Sequence, residues 1–401
     1  MTNFLRQIAL GAASLAMIVF SVSQAAAVEP VVIGYATSKT GSNAVVAGIT
    51  TRPNYKLWVL EVNEAGGLLF PDGTRRPIEV IEYDDRSSNQ VLVRAVERLV
   101  TQDKADLILA PTGTDANLVV APLLARYGYP HLATFAISNN ISEFVARWPR
   151  SFWLLGGGND YAHEMVRILS AAHAAGDINN EVVLISAADG LGVDLARNTR
   201  EILKEAGFRV TYERSYPRHV SDLSGFVRDA THLSADSFVA MTYAAGTFSV
   251  TKSAQDLGYN PKVFFVGGGG AFPVFPALTS GTVEGVFSLG GVDPDDPAIQ
   301  DYFQRQETRL NAHPDYWSSV VTYASLQMLE QAIARVGLDH GALSEELANG
   351  RFDTILGAVQ LSNNQLNTPW LIGQWQGGAF RAVGPREQPG TYPPVIPKPE
   401  W

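Results

Sequence analysis

Short strand-like segments alternate with helix-like segments along most of this sequence. A buried strand is predicted at residues 31–36, a helix over 44–65 and a half-buried strand at 78–83. Pro53 lies inside the helical stretch and indicates a kink or a late helix start. Strands that alternate with helices form parallel sheets whose two faces are covered. This first block therefore predicts a doubly wound α/β lobe.

The same alternation restarts near residue 152. Strands predicted at residues 181–186, 237–241 and 263–266 are separated by amphipathic helical patterns. A chain of 401 residues is too long for one compact core. The two blocks together therefore predict an α/β protein with two lobes, each built on a doubly wound parallel sheet.

The last quarter of the sequence follows a different pattern. Residues 293–297 have the composition of a loop, and residues 316–336 predict a long helix with apolar side chains along one stripe. Short strands are predicted at 359–361 and 370–375. Residues 384–401 contain six prolines and little periodicity, so they predict an extended tail on the surface.

The first 27 residues have the three-part design of a secretory signal peptide. Arg6 is followed by an apolar stretch over residues 8–20 and then by small residues that end at Ala27. The alternative is a membrane anchor, but crossing a bilayer takes roughly 20 apolar residues, more than this stretch offers. We therefore expect cleavage near Ala27 and export to the periplasm.

Charge and cysteine content exclude several classes of function. The chain carries 30 Lys and Arg against 40 Asp and Glu, a formal net charge of -10, and so lacks the basic footprint of a nucleic-acid-binding protein. It contains no cysteine. Disulfides, thiolate catalysis, iron–sulfur clusters and cysteine-ligated zinc are therefore excluded.

No enzymatic motif is complete in this sequence. His163 and Glu164 are adjacent, but Arg167 stands where a zinc-dependent protease would have its second histidine. The glycine run at residues 267–270 lacks the lysine and hydroxyl residue of a phosphate-binding loop. We therefore predict neither catalysis nor a bound cofactor or metal.

Polar, small and aromatic residues follow the predicted strands. Ligands of open α/β sheets bind beyond the carboxyl ends of the strands, where helix N-termini also favour anions. The candidate ligand-binding residues at these positions are Ser42, Thr112, Gly113, Thr114, Phe135, Ala136, Ser138, Asp160, Leu191, Tyr243, Gly268 and Phe272. An alternative for Thr114 and Ser138 is that they only cap helices. The chemistry of the set suits a small, partly apolar acid.

Several short motifs occur in a characteristic order. They are Ile33-Gly34, Thr40-Gly41, Val62 to Gly67, Tyr83-Asp84-Asp85, Pro111 to Thr114 and Leu257-Gly258-Tyr259. In this order and spacing, from about residue 31 to 375, the chain resembles the type I periplasmic binding proteins of the leucine/isoleucine/valine group. These are the receptors of branched-chain amino acid ABC transporters.

The resemblance implies two lobes joined by a three-segment hinge. Lobe 1 is expected to contain residues 28–150 and 289–362, and lobe 2 residues 151–288 and 363–401. The implied partners are an ABC permease in the inner membrane and a small-molecule carboxylate or amino acid, and we expect a monomer. A ligand-sensing subunit for a membrane receptor remains an alternative, and a periplasmic hydrolase is another.

The resemblance also implies roles for individual residues. Thr114, with Gly113 beside it, corresponds to the position that holds a ligand carboxylate, and Ala136 and Ser138 extend the site. Asp160 lies near the position of an acid that meets an α-ammonium group. At Leu191 the family commonly has a tyrosine, so the ligand is left open between an aliphatic amino acid, an aromatic acid and another carboxylate. Aromatic surface is then expected from Phe135, Trp153 and Tyr243.

Overall fold

The computed structural model describes residues 29–188, 190–217, 220, 222–279 and 282–401. The side chains of residues 190, 191, 193 and 194 are not part of this description. The predicted signal peptide, residues 1–27, lies outside the described residues. Within the described ranges, no helix combines the length and the apolar character needed to cross a bilayer.

Helices and strands alternate throughout the chain. Up to residue 153 they are β1 (Val31–Thr37), α1 (Ala44–Ile49), α2 (Thr51–Glu64), β2 (Leu68–Leu69), β3 (Arg75–Arg76), β4 (Ile78–Asp84), α3 (Asn89–Thr101), β5 (Leu107–Ile108), α4 (Thr114–Tyr127), β6 (His131–Ala133), α5 (Ile141–Arg147) and β7 (Ser151–Trp153). The middle of the chain forms α6 (Gly158–Ala175), β8 (Glu181–Ala187), α7 (Gly190–Glu205), β9 (Arg209–Tyr216), α8 (Ser224–Ala230), β10 (Ser237–Met241), α9 (Ala244–Asp256), β11 (Val263–Val266), α10 (Phe275–Leu278) and β12 (Phe287–Leu289). The last part forms α11 (Pro297–Leu310), α12 (Ser318–Val336), α13 (His340–Asn349), β13 (Arg351–Thr354), β14 (Gly357–Gln360), β15 (Ile372–Gln376) and β16 (Ala379–Gly384).

The first lobe is built around β1, which pairs in parallel with β4 on one side and β5 on the other. β6 and β7 form a second parallel pair. The helix predicted over residues 44–65 is broken at Thr50 into α1 and α2. Pro53 therefore falls in the first turn of α2, where a missing N–H removes no helical hydrogen bond. Of the two alternatives, the structure shows an interruption of the helix just before Pro53, while the first helix begins at Ala44 as predicted.

The second lobe contains a seven-stranded sheet in the order β16-β15-β12-β11-β10-β8-β9. The strands from β12 to β9 run parallel, as predicted, but β15 and β16 are antiparallel additions at one edge. The turn between them is Gly377-Gly378, and both residues have positive φ, 59° and 79°. Two positive φ angles match the right-handed twist of a hairpin, and this local signal was missed in the sequence.

The chain returns to the first lobe after β12. Tyr302 in α11 donates its hydroxyl hydrogen to Asn54 Oδ1 in α2 at 2.6 Å, and Trp58 Nε1 donates to Glu330 in α12 at 3.1 Å. β15 and β16 then join the sheet of the second lobe. This exchange of segments has the form that the family resemblance implies, and the lobe boundaries given above stay a prediction.

The C-terminal tail differs from a simple surface extension. It forms no helix or strand beyond Gly384, as predicted, but its end is packed. Lys398 is only 4% exposed, and the Trp401 indole donates to the Tyr259 carbonyl at 2.7 Å. The Trp401 ring also meets Phe264 edge-on. Aromatic burial, which a proline count does not reveal, fixes the tail to the second lobe.

Candidate functional site

The loop between β5 and α4 presents main-chain N–H groups. Gly113 precedes α4 with φ 107° and ψ 149°, a conformation open almost only to glycine. The N–H groups of Gly113 and Thr114 meet no acceptor within the described part of the chain. A Cβ added at Gly113 would meet no atom within 4 Å, so the loop borders open space. Such an N-terminus attracts anions.

Thr114 connects this loop to the loop after β6. Its Oγ1 accepts a hydrogen bond from the Ile137 N–H at 3.1 Å. Ala136 and Ser138 are buried in that second loop, and Ser138 Oγ accepts from the Asn140 N–H at 3.1 Å. Neither hydroxyl caps the following helix, since the N-caps are Gly113 and Asn140 without side-chain cap bonds. The cap alternative for Thr114 and Ser138 is therefore wrong.

The second loop leads directly to α6. The Ser138 N–H donates to the Gly156 carbonyl at 3.3 Å, and Asn139 Oδ1 accepts from the Asn159 N–H at 2.7 Å. Asp160 stands exposed in the first turn of α6. The structure thus brings the segments that contain the predicted residues Thr114, Ser138 and Asp160 next to one another.

An aromatic cluster lies beside these loops. The centroid of the half-buried Phe135 ring lies 6.4 Å from that of the Trp317 ring, and Trp317 Nε1 donates to the Tyr161 hydroxyl at 3.1 Å. Trp317 was not predicted as a site residue, because it precedes a helix rather than following a strand. Trp153, expected to supply aromatic surface, is instead fully buried against His131 and Phe144.

In the second lobe the loops after β10 and β11 lie together. The Gly268 N–H donates to the Thr242 carbonyl at 2.8 Å, and the Thr247 hydroxyl donates to the Gly268 carbonyl at 2.8 Å. A Cβ at Gly267 would collide with the backbone of Thr242, so close approach of the two loops explains this part of the glycine run. Tyr243 is half-buried at the start of α9.

The remaining predicted residues have different environments. Phe272 is 3% exposed, and Ser42 is exposed in the turn before α1. Leu191 lies in α7, and its side chain falls outside the described residues. The neighbouring Asp84 accepts from the Lys39 and Thr40 N–H groups at 2.9 and 3.2 Å. Burial raises the pKa of the Asp84 carboxyl, but these bonds and one from the Thr40 hydroxyl outweigh that effect and lower the pKa to about 2. Asp84 therefore braces the loop that leads to Ser42.

His131 in β6 is buried behind the Gly113 loop, and it gives a prediction for the pH dependence of stability. Burial lowers the pKa of its imidazole to about 3, whereas an unfolded histidine titrates near 6.5. Below pH 6.5 the unfolded chain takes up a proton that the folded protein excludes. We expect His131 to lower the free energy of unfolding by about 1.4 kcal/mol per pH unit, about 2 kcal/mol at pH 5.

Urea unfolding of wild type and His131→Gln at pH 7.5 and pH 5 checks this expectation. The difference in free energy between the two proteins is expected to change by about 2 kcal/mol in favour of the variant at pH 5. His313→Gln, which replaces an exposed histidine, is the control and is expected to follow wild type. Parallel pH profiles for wild type and His131→Gln would contradict the prediction.

Comparison with known proteins places this chain in one family, the periplasmic binding proteins. A model described as "Periplasmic binding protein" matches residues 30–379. A relative from Brucella suis biovar 1, "Leu/Ile/Val-binding protein homolog 7", is 22% identical over 350 residues, which cover 82% of this chain and 84% of the relative.

Solved structures with the same fold span most of the chain. A branched-chain amino acid transporter substrate binding protein from Streptococcus pneumoniae, in complex with isoleucine, matches with a TM-score of 0.73 and 18% identity over 88% of this chain and 98% of that one. A solute binding protein of an ABC transporter from R. palustris, in complex with benzoate, matches with a TM-score of 0.73 and 17% identity over 93% and 97%. At these identities the likeness establishes the two-lobed fold.

Proposed function

This chain belongs to the periplasmic binding protein family, and we propose that it is the exported solute-binding subunit of an ABC importer, which holds a small carboxylate between its lobes. The observation that carries the proposal is that the N–H groups of Gly113 and Thr114 meet no acceptor among the residues that the structure describes. They stand at the start of α4 and border open space. A carboxylate placed there gains hydrogen bonds and a favourable helix dipole.

The rest of the proposed ligand meets the surrounding loops. The Ala136 carbonyl meets no donor within the described residues and is available to accept a hydrogen bond. Asp160 is exposed on the same surface and suits an α-ammonium group, while Phe135 and Tyr243 offer half-buried aromatic faces. The proposed ligand class is therefore a small, partly apolar acid, either an aliphatic amino acid or an aromatic acid. Related structures hold isoleucine in one case and benzoate in another.

The proposed mechanism is binding without chemistry. The carboxylate docks first on residues 28–150 and 289–362, and the lobe of residues 151–288 and 363–401 closes over it. The ligand shifts the population toward the closed state because it contacts both lobes only there. The closed form is what the ABC permease of the inner membrane would recognise, after removal of residues 1–27 on export.

A thermal-shift panel tests the ligand class. Aliphatic amino acids and aromatic acids are compared with their carboxamides, since a ligand that binds only the folded state raises its melting temperature. We expect at least one carboxylate to raise the melting temperature and its carboxamide to fail. Native mass spectrometry of protein purified without refolding identifies a ligand carried from the cell. Success of sugars or amides with failure of all carboxylates would contradict the proposal.

Replacing Thr114 by alanine tests the position of the carboxylate. The variant loses the hydroxyl that borders the docking loop and its hydrogen bond to Ile137. We expect the dissociation constant of the best carboxylate in the panel to rise about tenfold, and the free energy of unfolding to fall by only about 1 kcal/mol.

Isothermal titration calorimetry and urea unfolding measure the two effects on the same preparation. Thr101→Ala is the matched control, because Thr101 is an exposed threonine at the end of α3 whose hydroxyl donates to the Glu97 carbonyl. An unchanged dissociation constant in Thr114→Ala would place the carboxylate elsewhere.

A further inference from the structure

A chain of buried polar side chains lies directly behind the Gly113 loop. Ser151 Oγ is 2.9 Å from His131 Nδ1, and His131 Nε2 is 3.0 Å from Asn117 Oδ1. Asn117 Nδ2 in turn reaches the Pro111 carbonyl at 2.9 Å and the Gly113 carbonyl at 2.8 Å. Ser151, His131 and Asn117 are each no more than 1% exposed. Buried polar groups at this depth act as a unit, because each needs its partner.

The direction of every hydrogen bond in this chain is fixed. Carbonyl oxygens only accept, so the group of Asn117 that faces Pro111 and Gly113 is the NH2. Its Oδ1 must therefore accept, and His131 donates from Nε2. The imidazole is neutral, because burial lowers its pKa to about 3, so Nδ1 carries no proton and accepts from the Ser151 hydroxyl. Each group therefore donates to the next: Ser151 to His131, His131 to Asn117, and Asn117 to the carbonyls of the loop.

At the end of this series of hydrogen bonds, Asn117 fixes the direction of the peptide group between Gly113 and Thr114. A trans peptide is planar, so its N–H points opposite to its C=O. The Gly113 carbonyl accepts from both the side chain and the main-chain N–H of Asn117, at 2.8 and 3.0 Å. With this carbonyl directed at Asn117, the Thr114 N–H of the same peptide points the opposite way, out of the N-terminus of α4.

We propose that Ser151, His131 and Asn117 are positioning residues that orient the Thr114 N–H and thereby set the affinity of the cleft for carboxylates. The inference rests on the proposed function for its second half, the affinity. Its first half, the orientation of one peptide group, stands on the hydrogen bonds alone. All three side chains are buried behind the loop, and they act through the carbonyl that Asn117 holds.

Nuclear magnetic resonance tests the orientation without any ligand. In wild-type protein labelled with 15N-histidine, we expect the His131 signals of an imidazole protonated at Nε2, unchanged between pH 8 and pH 5. A proton on Nδ1, or a charged ring at pH 6, would overturn the proposal. This measurement uses the native protein, so it does not depend on whether a variant folds.

Variants test whether the chain acts on Thr114. In protein labelled with 15N-threonine, we expect the Thr114 amide signal to move strongly in Asn117→Ala and clearly in His131→Phe, which keeps a ring but donates nothing. His131→Gln restores a donor toward Asn117 and is expected to return the signal close to its wild-type position. The exposed His232→Phe is the matched control and leaves the signal in place. An unmoved Thr114 signal in His131→Phe, or no recovery in His131→Gln, would overturn the proposal.

Titration with L-isoleucine and with benzoate tests the consequence for affinity. Whichever of the two binds wild type is expected to bind His131→Phe about tenfold more weakly and His131→Gln within about threefold of wild type. Equal affinity in wild type and His131→Phe, with a displaced Thr114 amide, would overturn the second half of the proposal. Failure of wild type to bind either compound would count against the proposed ligand class, while the Thr114 signal still decides the orientation.

Discussion

Replacing Asp315 by alanine is expected to lower the free energy of unfolding by about 5 kcal/mol. Asp315 is fully buried before α12, and its carboxylate accepts from the N–H groups of Trp317, Ser318 and Ser319 at 2.8, 2.7 and 3.1 Å. The hydroxyls of Ser318 and Ser319 add two bonds, both of 2.8 Å. Without the carboxylate, the first N–H groups of the helix are left buried, and each such group costs about 1–3 kcal/mol.

Chemical denaturation of Asp315→Ala measures this loss. Asp339→Ala is the matched control, because Asp339 is an exposed aspartate that caps α13 and accepts from the Ala342 N–H at 2.8 Å. A single exposed cap is worth about 1 kcal/mol. Losses of similar size in the two variants would show that the buried network around Asp315 adds nothing beyond an ordinary cap.

The strand and helix pattern of the core is predictable from sequence because those elements bury one face or stripe. β1, β4 and β8 lie within one residue of their predicted positions. The apolar pattern does not reveal a helix whose buried face includes polar side chains. The sequence predicts no helix at α11, because its buried positions include Gln306, which bonds to Asn54 and Tyr302, and because the composition of residues 293–297 indicates a loop. Asp296 and Pro297 form instead the N-cap and first residue of that helix.

The candidate site, like the fold, is predictable from the sequence only in part. The rule that ligands bind beyond strand ends selects the loops at Gly113 and Ser138, which the structure joins through Thr114 and Ile137. The rule has no means of finding Trp317, which reaches Phe135 only because the chain returns from the second lobe. Nor does it find His131 and Asn117, which meet through a hydrogen bond between β6 and α4. Long-range contacts of this kind leave no local periodicity.

Gly290 is the position where a single added carbon is expected to disturb the centre of the molecule. It follows β12 with φ 88°, its N–H donates to the Leu371 carbonyl at 2.7 Å, and a Cβ there would overlap the Trp317 side chain. Trp317 is 7% exposed, and Gly290 itself holds a main-chain bond, so neither is free to move aside. Overpacking costs about 1–3 kcal/mol and a left-handed backbone about 1–2. We expect Gly290→Ala to lose about 4 kcal/mol of stability.

Gly378→Ala separates the two contributions to that loss. Gly378 has a similar φ, 79°, in the turn between β15 and β16, and a Cβ there would meet no atom within 4 Å. This control therefore carries the backbone strain alone and is expected to lose about 1–2 kcal/mol.

Urea unfolding measures both variants, and near-ultraviolet circular dichroism reports the Trp317 environment. Because Trp317 donates to Tyr161 across the predicted boundary of the lobes, Gly290→Ala is expected to change the aromatic spectrum and Gly378→Ala to leave it unchanged. Equal losses and identical spectra would mean that Trp317 yields without cost, and the aromatic cluster beside the proposed cleft would then not be rigid.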